Sequence, residues 1–489
     1  MSPVRLFALV LLSLVGSASS QAAPRPNVLF IASDDLRPQL GCYGHKQMIT
    51  PHLDALAREG MVFERAYCQA ATCRASRLSL LTGRRPDTTR IHTNGGATFR
   101  TRNPDWVTLP QHFKNHGYTS LSLGKIFHGA FKVRSQWNDR KSWSAPEWWP
   151  GPRYYHTPEG IAAAEKVFKR SKAGRKAPVE DWVNHFVLGP SWEAPDVPDN
   201  VLYDGQVADK AVATLRELRD KPFFLAVGFL KPHLPFIAPK KYWDMYPAKD
   251  VTVADNQHPP KDVPKLALTN WGHPRSYTDI PNKGPMPKEL THKLTRGYAA
   301  CVTYIDAQVG RVLAELDRLG LRDNTIVVFW GDHGYHLGEN DIWGKATNFE
   351  LSTHVPLIVS APGMKAKGGS TRALVELVDL YPTLAELAGL PPQKALEGRS
   401  LRPLLNAPDT AWKQAAFSQF PRNGAMGRSM RSDRWRFTEW TQKGKTVATE
   451  LYDHENDPKE NVNLANSPEH SKIVQDLAKQ LQAQWPTGR

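Results

Sequence analysis

Short apolar runs recur along this chain, and each of them ends in a cluster of polar residues. Runs of this length and composition are typical of strands that are buried on both faces of a parallel sheet. The four clearest runs are residues 27–31, which lead to Asp34 and Asp35, residues 118–123, which lead to Lys125 and His128, residues 223–229, which lead to His233, and residues 326–330, which lead to Asp332 and His333. Because ligands of open α/β sheets bind beyond the carboxyl ends of the strands, the pattern predicts that the four polar clusters meet in one crevice.

Helical periodicity fills the intervals between the runs. Thr50 and Pro51 begin one predicted helix, and Gly60 ends it. Apolar residues recur at helical spacing over residues 291–320, which indicates a long helix packed on the sheet. Residues 76–81 predict the start of another helix, with Cys73 near the positive end of its dipole, where an oxyanion is favoured. The expected fold class is α/β, with a large, mostly parallel central sheet flanked by helices.

Two regions depart from this rhythm. Residues 135–195 are rich in tryptophan and proline, and a long irregular insertion in a compact domain is often a functional loop. We interpret it as the rim of the substrate pocket, because aromatic faces suit sugar rings; packing onto the body is the alternative for any single tryptophan. Residues 428–440 and 447–452 alternate like strands, and residues 469–484 have the pattern of an amphipathic helix. We therefore expect a main domain over residues 24–405, which contains the insertion, and a small α+β C-terminal subdomain over residues 406–489.

Residues 1–23 have the pattern of a secretory signal peptide. Arg5 is followed by an apolar run over residues 6–15 and by a tail of small residues, and cleavage is expected near Ala22 or Ala23. The apolar run is too short for an ordinary membrane anchor, and no later segment approaches about 20 consecutive apolar residues. The sequence therefore predicts a protein exported to the periplasm or the extracellular space, without a membrane anchor.

Composition narrows the class of protein. Of the 489 residues, 40% are hydrophobic and 23% are charged, which is ordinary for a soluble enzyme and argues against general disorder. The cysteines are too widely spread to suggest a dense disulfide framework: Cys42, Cys68, Cys73 and Cys301. The net charge of +15 suits an anionic polymer as partner, with a merely solvated basic surface as the alternative. We expect no nucleic-acid partner, because no aromatic and basic signature accompanies the charge.

The polar clusters supply the groups that hydrolysis of a charged ester requires. Asp34, Asp35 and Asp332 are hard oxygen donors, and three carboxylates brought together would repel one another unless a cation neutralised them. Calcium is the natural occupant, and magnesium is the second choice because it demands stricter octahedral geometry. Separate capping aspartates would be the interpretation if Asp34 and Asp35 stood alone. Cationic and proton-donating residues accompany the carboxylates, as cleavage of an anionic ester with a poor alkoxide leaving group requires: Lys125, His128, His233 and Lys345.

One further stretch adds a nucleophile to these groups. It reads Cys73-Arg74-Ala75-Ser76-Arg77, followed by Leu81-Thr82-Gly83-Arg84. The stretch resembles the signature of the type I sulfatases, Cys-x-Pro/Ala-Ser-Arg with a downstream Leu-Thr-Gly-Arg, in which a dedicated enzyme oxidises the cysteine to formylglycine. The segments around the four polar clusters resemble the iduronate-2-sulfatase branch of that family, over about residues 25–465. The resemblance implies an alkaline-phosphatase-like sandwich.

The resemblance also implies roles for individual residues. One calcium ion would have these ligands: Asp34, Asp35, Cys73 as formylglycine, Asp332 and His333. Five residues would hold or process the sulfate: Arg77, Lys125, His128, His233 and Lys345. A hydroxyl of the hydrated formylglycine would attack sulfur, His233 assisted by Lys345 would protonate the leaving alkoxide, and His128 would act as the base that expels sulfate. The implied partners are a sulfated glycan and a formylglycine-generating enzyme.

The substrate expectation follows from the same resemblance, the basic charge and the export signal. Together they predict a 2-O-sulfated uronic acid at the end of a glycosaminoglycan or algal polysaccharide chain. A uronate carboxylate needs a second cationic contact, which an arginine of the insertion or Arg85 would supply, whereas Arg84 is expected to serve structure or maturation. The chain departs from the family pattern at three places: Ala75 replaces the usual proline, Gly129-Ala130 follows His128 where Pro-Gly is favoured, and His336 lies beside the metal motif.

Two other functions stay open at this stage. A phosphonate or phosphodiester hydrolase of the same superfamily would use the same nucleophile and metal, and its preference for aryl phosphodiesters over aryl sulfates would identify it. A catalytically silent glycan-binding protein would keep Cys73 as an unmodified thiol and would bind polysaccharide without releasing sulfate.

Overall fold

The computed structural model of the protein describes residues 25–129, 137–151, 154–185 and 187–485. The predicted signal peptide, residues 1–23, and Ala130 lie outside the described residues. Within those ranges, no helix has the length and apolar character needed to cross a bilayer.

The strands are short except at the centre of the main domain and in the C-terminal subdomain. In chain order they are β1 Asn27–Asp34, β2 Met61–Phe63, β3 Ala66–Tyr67, β4 Thr119–Gly124, β5 Trp192–Glu193, β6 Phe223–Pro232, β7 Phe236–Ile237, β8 Thr325–Gly331, β9 His336–Leu337, β10 Trp343–Gly344, β11 His354–Val355, β12 Leu357–Ser360, β13 Gly369–Thr371, β14 Val375–Glu376, β15 Ala416–Arg422, β16 Ala425–Arg431, β17 Trp435–Gln442 and β18 Lys445–Asp453.

The α-helices connect these strands and cover the sheet. In chain order they are α1 Pro51–Glu59, α2 Cys73–Thr82, α3 Pro86–Thr89, α4 Phe99–Arg102, α5 Leu109–Asn115, α6 Pro158–Arg170, α7 Tyr203–Leu218, α8 Lys240–Asp244, α9 Lys288–Arg318, α10 Glu350–Thr353, α11 Leu380–Leu387, α12 Arg402–Asn406 and α13 Ser471–Gln484.

A seven-stranded sheet forms the centre of the main domain, in the order β13-β2-β12-β8-β1-β6-β4. The neighbours β8, β1, β6 and β4 are parallel, whereas β12 runs antiparallel to both β8 and β2. These four parallel neighbours are the four strands predicted from the apolar runs. Their carboxyl ends share one edge of the sheet, which brings the polar residues that follow them toward one crevice.

Side chains of β1 alternate between two hydrophobic cores, one on each face of the sheet. Leu29 and Ile31 belong to the core that includes α1, α7 and α9. Val28 and Phe30 belong to the core that includes α2, α5 and α11, where the rings of Phe30 and Trp330 have centroids 5.2 Å apart. Because both faces of the strand are buried, its sequence is apolar without alternation until the strand ends.

The predicted helices are confirmed. Pro51 occupies the first turn of α1, Gly60 follows its last residue, and α9 corresponds to the long predicted helix. Helix α2 begins at Cys73 itself, earlier than the start predicted at residue 76. The side chain at position 73 therefore lies in the first turn of a helix, among backbone N–H groups that have no intrahelical acceptor.

The tryptophans of the insertion divide into two groups. Most of them support the packing alternative rather than a pocket rim, because they are buried in the two cores or pack against them: Trp143, Trp148, Trp149, Trp182 and Trp192. Trp137 differs, since its ring contacts the His128 ring with centroids 5.0 Å apart. The aromatic character of the insertion is thus mainly structural, and one tryptophan reaches a predicted site residue.

The C-terminal subdomain is a four-stranded antiparallel sheet, β15-β16-β17-β18, which packs against α13. The two predicted strand regions and the predicted final helix are confirmed, while β15 lies outside the predicted strands. The expected boundary after residue 405 falls inside α12, and Leu404 and Leu405 of that helix belong to a core of the main domain.

Strand β15 joins the subdomain to the segment that precedes α2. The Ser418 hydroxyl donates to the Cys68 carbonyl at 2.5 Å, and the Gln419 N–H donates to the Gln69 carbonyl at 2.9 Å. The subdomain therefore packs directly beside the N-terminus of the helix that carries Cys73.

Candidate active site

The end of β1 places two carboxylates at the edge of the sheet. The pairing of β1 with β6 is irregular between Ala32 and Asp34, and Asp35 has a φ of 64°, which is uncommon for a residue with a side chain. The Tyr298 hydroxyl donates to the Asp35 carbonyl at 2.9 Å and so holds this backbone conformation. Backbone of this kind is concentrated at functional sites.

Cys73 faces two cationic side chains from the far end of the chain. Its Sγ lies 3.3 Å from His333 Nε2 and 3.4 Å from Lys345 Nζ, and its residue is 1% exposed. Burial and the Asp34 carboxylate would raise the pKa of the Cys73 thiol, but Lys125, Lys345 and His333 lower this pKa to about 5. The surrounding cations therefore stabilise negative charge at position 73.

Arg77 and Lys125 hold the carboxylates of Asp34 and Asp332 in place. Arg77 Nε lies 2.7 Å from Asp332 Oδ2, its Nη2 lies 3.3 Å from Asp34 Oδ1, and its Nη1 donates to the carbonyls of Lys125 and Ile126. Lys125 Nζ lies 2.5 Å from Asp34 Oδ2. Burial alone would raise the pKa of Asp34, but Lys125, His233 and Arg77 hold it well below its usual value. All three nitrogens of the Arg77 guanidinium are engaged by the protein, so this arginine orients the carboxylates.

Four side chains have the spacing of a metal site. Potential ligand atoms of Asp34, Asp35, Cys73 and His333 all lie within 4.8 Å of one another, and all four residues are buried. Asp35 Oδ2 is buried and has no hydrogen-bond partner in the described part of the chain. Burial raises the pKa of Asp35 to about 7, against the opposing charge of Lys345. An oxygen donor left without a partner among carboxylates fits a hard divalent cation.

The histidine of this cluster is oriented by its second ring nitrogen. His333 Nδ1 lies 3.0 Å from the Gly334 carbonyl, to which it donates, so Nε2 is the nitrogen directed at Cys73 and, at 3.5 Å, at Asp35 Oδ1. Burial would lower the pKa of His333, but Asp332 raises it to about 9. Histidines that bind metals are commonly oriented through such a hydrogen bond.

Asp332, a predicted ligand, lies beside the four clustered residues. Its Oδ1 accepts the N–H groups of Asp35 and His333 at 3.1 and 3.0 Å, and its Oδ2 accepts from Arg77. The carboxylate thus ties the ends of β1 and β8 together. Its role as a metal ligand stays a prediction.

The other predicted site residues lie around this centre. Lys345 Nζ contacts both Asp35 Oδ1 and Cys73 Sγ. His233 Nδ1 lies 2.5 Å from the Leu234 carbonyl. Burial and the charge of Lys345 hold the pKa of His233 well below its usual value, against the opposing charge of Asp34. His128 packs against Trp137, whose ring lies 5.8 Å from the Arg74 guanidinium.

One expectation about the surroundings of the site needs correction, and the position of His336, noted beside the metal motif, can now be described. Arg85 is buried, and both of its Nη atoms contact Glu376 carboxylate oxygens at 2.7 Å, so this arginine is not available for a substrate carboxylate. His336 is fully buried, with Nδ1 3.2 Å from the Glu339 carbonyl, so it is part of the packing behind the site. Arg84 lies with its guanidinium 4.2 Å from the centre of a Trp106 ring, which agrees with a structural role.

One cation near the site was not predicted from the sequence. Arg422, at the end of β15, donates to the carbonyl of Ala346, the residue that follows Lys345. Nothing in the local sequence indicates this contact, because it depends on how the C-terminal sheet packs against the main domain.

Cys73 lies at the N-terminus of a helix and faces a carboxylate cluster at the edge of a sheet between two helix layers, within an alkaline-phosphatase-like fold. The sulfatase family model matches residues 26–390, and a second model, for the C-terminal region of N-sulphoglucosamine sulphohydrolase, matches residues 338–486. The chain therefore belongs to the sulfatase family and is a sulfuric ester hydrolase.

Individual relatives agree with the family. Iduronate 2-sulfatase of Mus musculus is 33% identical over 528 residues, which covers 92% of this chain and 93% of that protein. An arylsulfatase of Clostridium perfringens is 29% identical and covers 94% of each chain. A solved phosphonate monoester hydrolase of Agrobacterium radiobacter superposes with a TM-score of 0.74 at 24% identity, covering 94% of this chain and 96% of that one, and this likeness concerns the fold alone.

Proposed function

We propose that the chain is an exported, formylglycine-dependent, calcium-containing sulfatase that removes the 2-O-sulfate from a uronic acid residue of a glycan. The observation that carries this proposal is the position of Cys73, in the first turn of α2 and within 3.4 Å of both His333 and Lys345. The substrate class is supported by the 33% identity to iduronate 2-sulfatase and by the net charge of +15.

The proposed metal would be held by Asp34, Asp35, His333 and the side chain at position 73, with Asp332 as a further ligand. These residues fit calcium because they offer mainly carboxylate oxygens, one of which is buried without a partner. When bound, the ion supplies positive charge that offsets the carboxylates and polarises a sulfate oxygen. Arg77, Lys125 and Asp332 would hold the ligands in place before the ion enters.

The side chains of the protein itself divide the remaining tasks. Lys125 and Lys345 would stabilise the charge that develops on the sulfate oxygens. His233 would protonate the leaving alkoxide through Nε2, since its Nδ1 is engaged by the Leu234 carbonyl. Because burial and Lys345 lower the pKa of His233, this role requires the negative charge of the bound sulfate ester to favour the protonated form. His128 would accept the proton that must leave position 73 when sulfate is expelled.

Conversion of Cys73 to formylglycine would have to precede folding. The folded chain encloses this residue, which is 1% exposed. The maturation enzyme is therefore a partner of the unfolded chain, and an unconverted protein would keep the fold without the aldehyde that turnover requires. Export would follow from the signal peptide expected at residues 1–23.

Two measurements test this function together. Peptide mass spectrometry across Cys73, on protein produced with a formylglycine-generating enzyme, should show that the sulfur is lost, and Cys73→Ala should fold normally without turnover. A panel of 2-sulfated uronates, sulfated neutral sugars, an aryl sulfate and an aryl phosphodiester should show sulfate release from the uronates foremost. Full activity with an unmodified Cys73 thiol would refute the mechanism, and preference for the phosphodiester would replace the reaction class.

A further inference from the structure

Arg422 enters the neighbourhood of the active site from the C-terminal subdomain. It ends β15, just before the turn to β16, and its Nη2 donates to the carbonyl of Ala346. Ala346 follows Lys345, has a φ of 72°, and donates its own N–H to the Ala71 carbonyl at 3.1 Å. Arg422 therefore contacts the residue next to Lys345, the lysine that touches Cys73. That residue, Ala346, lies beside the segment that leads into α2.

The charge of Arg422 has no carboxylate partner. Over the ranges that the structure describes, no Asp or Glu oxygen lies within ion-pair distance of its guanidinium, and its Nε is buried without a hydrogen-bond acceptor. Burial lowers the pKa of Arg422 to about 10, against a small opposing effect of Glu450. Burying a cation without a counter-charge is unfavourable, which leaves an arginine ready to bind an anion.

Other arginines of the same subdomain differ in this respect. Four other arginines of the subdomain each pair with a carboxylate at 3.2 Å or closer: Arg428 with Asp87, Arg431 with Glu350, Arg434 with Asp453 and Arg436 with Glu350. The cations of the catalytic centre are also paired, Lys125 with Asp34, Lys345 with Asp35 and Arg77 with Asp332. Arg422 is thus a cation beside the centre whose charge is not already offset.

We propose that Arg422 binds the carboxylate of the sulfated uronic acid. This inference rests on the proposed function, which requires a substrate with two anionic groups, a sulfate and a carboxylate. The sulfate would be held by the metal centre with Lys125 and Lys345, and the planar guanidinium fork of Arg422 matches the second group. The C-terminal subdomain would in this way supply a specificity residue to a centre built by the main domain.

The experiment compares three substrates on one set of variants. The substrates are a 2-O-sulfated uronic acid glycoside, the same glycoside with its carboxyl group reduced to the alcohol, and an aryl sulfate. The variants are Arg422→Gln, Arg422→Lys and the control Arg434→Gln, which removes a paired arginine of the same subdomain. We expect Arg422→Gln to lower kcat/KM for the uronate, relative to the aryl sulfate, by about 10- to 100-fold, mainly through KM.

The reduced glycoside and the conservative variant sharpen the result. Arg422→Gln should abolish the wild-type preference for the uronate over its reduced form, and Arg422→Lys should retain part of it, because lysine keeps the charge and loses the fork. Arg434→Gln should leave all three ratios unchanged. If Arg422→Gln does not fold, the same ratios measured on Arg422→Lys decide the question.

Three outcomes would overturn the inference. An equal fall for all three substrates would mean that Arg422 acts only by holding the Ala346 carbonyl and, through it, Lys345. An unchanged ratio of uronate to reduced glycoside in Arg422→Gln would reject the carboxylate contact while the proposed function stands. Wild-type protein that hydrolyses the aryl sulfate but not the uronate would reject the proposed substrate and this inference with it.

Discussion

Arg77 Nε lies 2.7 Å from Asp332 Oδ2, and both side chains are fully buried. This ion pair links α2, the helix that begins at Cys73, to the end of β8, while the second carboxylate oxygen of Asp332 accepts the backbone N–H groups of Asp35 and His333. The arrangement keeps the ends of β1 and β8 in place before any ion or substrate binds, as a preorganised charged site requires.

Removal of the metal should lower both activity and stability. We expect a calcium chelator to abolish sulfate release and to lower Tm by roughly 3 °C, because an ion present at about 100 times its Kd for the native state stabilises that state by about 2.7 kcal/mol. Differential scanning calorimetry with and without chelator measures the shift, and added calcium should restore it. Asp35→Asn should make Tm insensitive to the chelator; a chelator response of the same size in this variant would place the ion elsewhere.

Gly228 should be intolerant of even one added carbon. A Cβ on Gly228 would lie 2.0 Å from the Lys125 carbonyl oxygen, which itself accepts a hydrogen bond from Arg77. Gly228→Ala must therefore displace Lys125 relative to Asp34, and we expect kcat to fall at least about 10-fold, with a loss of about 2 kcal/mol in the free energy of unfolding.

A matched control separates this effect from a general cost of replacing glycine. Gly151 is exposed, and a Cβ there would have no heavy atom of the described residues within 4 Å. Gly151→Ala should leave kcat and the denaturation midpoint unchanged. Wild-type kcat in Gly228→Ala would show that Lys125 need not be held where β4 and β6 place it.

Arg85 should matter for stability and not for substrate selection. Its bidentate contact with Glu376 is buried, and burial would lower the pKa of Arg85, but Glu376 raises it. We expect Arg85→Met to lower the free energy of unfolding by about 3 kcal/mol, at the low end for a broken buried pair because Lys413 still contacts Glu376 at 2.9 Å. Urea denaturation measures this cost. A selective rise in KM for uronates with unchanged stability would restore Arg85 as a substrate contact.

His336 should make the protein sensitive to acid. Burial lowers the pKa of His336 to about 4, below its ordinary value near 6.5. Between these values the unfolded chain binds more protons than the folded one, so stability is present above the unfolded pKa and is lost as pH falls toward the folded pKa. We expect this residue to contribute a loss of roughly 3 kcal/mol between pH 7 and pH 4.

The contribution of His336 is isolated by comparison with His336→Asn. Other buried acids titrate over the same range, among them Glu450, whose pKa burial raises to about 7, so only the difference between wild type and variant is informative. Urea denaturation at several pH values should show that wild-type stability falls more steeply than that of the variant below pH 6.5. Parallel curves would mean that His336 is not the group responsible.

The sequence predicted which polar residues meet at the edge of the sheet, because the signals for their positions are local. Asp34, Lys125, His233 and Asp332 each follow an apolar run directly, and parallel neighbouring strands must end at the same edge of the sheet. The same reasoning found α2 from its apolar spacing, although not that Cys73 is its first residue. The residue at which a helix begins depends on which groups accept hydrogen bonds from the N–H groups of its first turn. In α2 the Asn94 side chain accepts the Arg74 N–H at 3.0 Å.

The surroundings of the site were harder to predict because they depend on long-range packing. The pairing of Arg85 with Glu376 joins residues 291 positions apart, and the contact of Arg422 with Ala346 joins residues 76 positions apart. Whether an arginine faces substrate or a buried glutamate is decided by the docking of distant elements, which local patterns do not report. The prediction that the tryptophans of the insertion form the rim of the pocket was wrong for most of them for the same reason, because tryptophan suits both a surface that binds sugar rings and a hydrophobic core.

The enclosure of Cys73 also has a consequence in time. Its contacts His333 and Lys345 lie 260 and 272 residues further along the chain. At a synthesis rate of about 5–20 residues per second, Cys73 is synthesised roughly 14–54 s before Lys345. Any enzyme that modifies Cys73 therefore competes with chain elongation, and the fraction of modified protein should rise when translation is slowed and fall when the maturation enzyme is scarce.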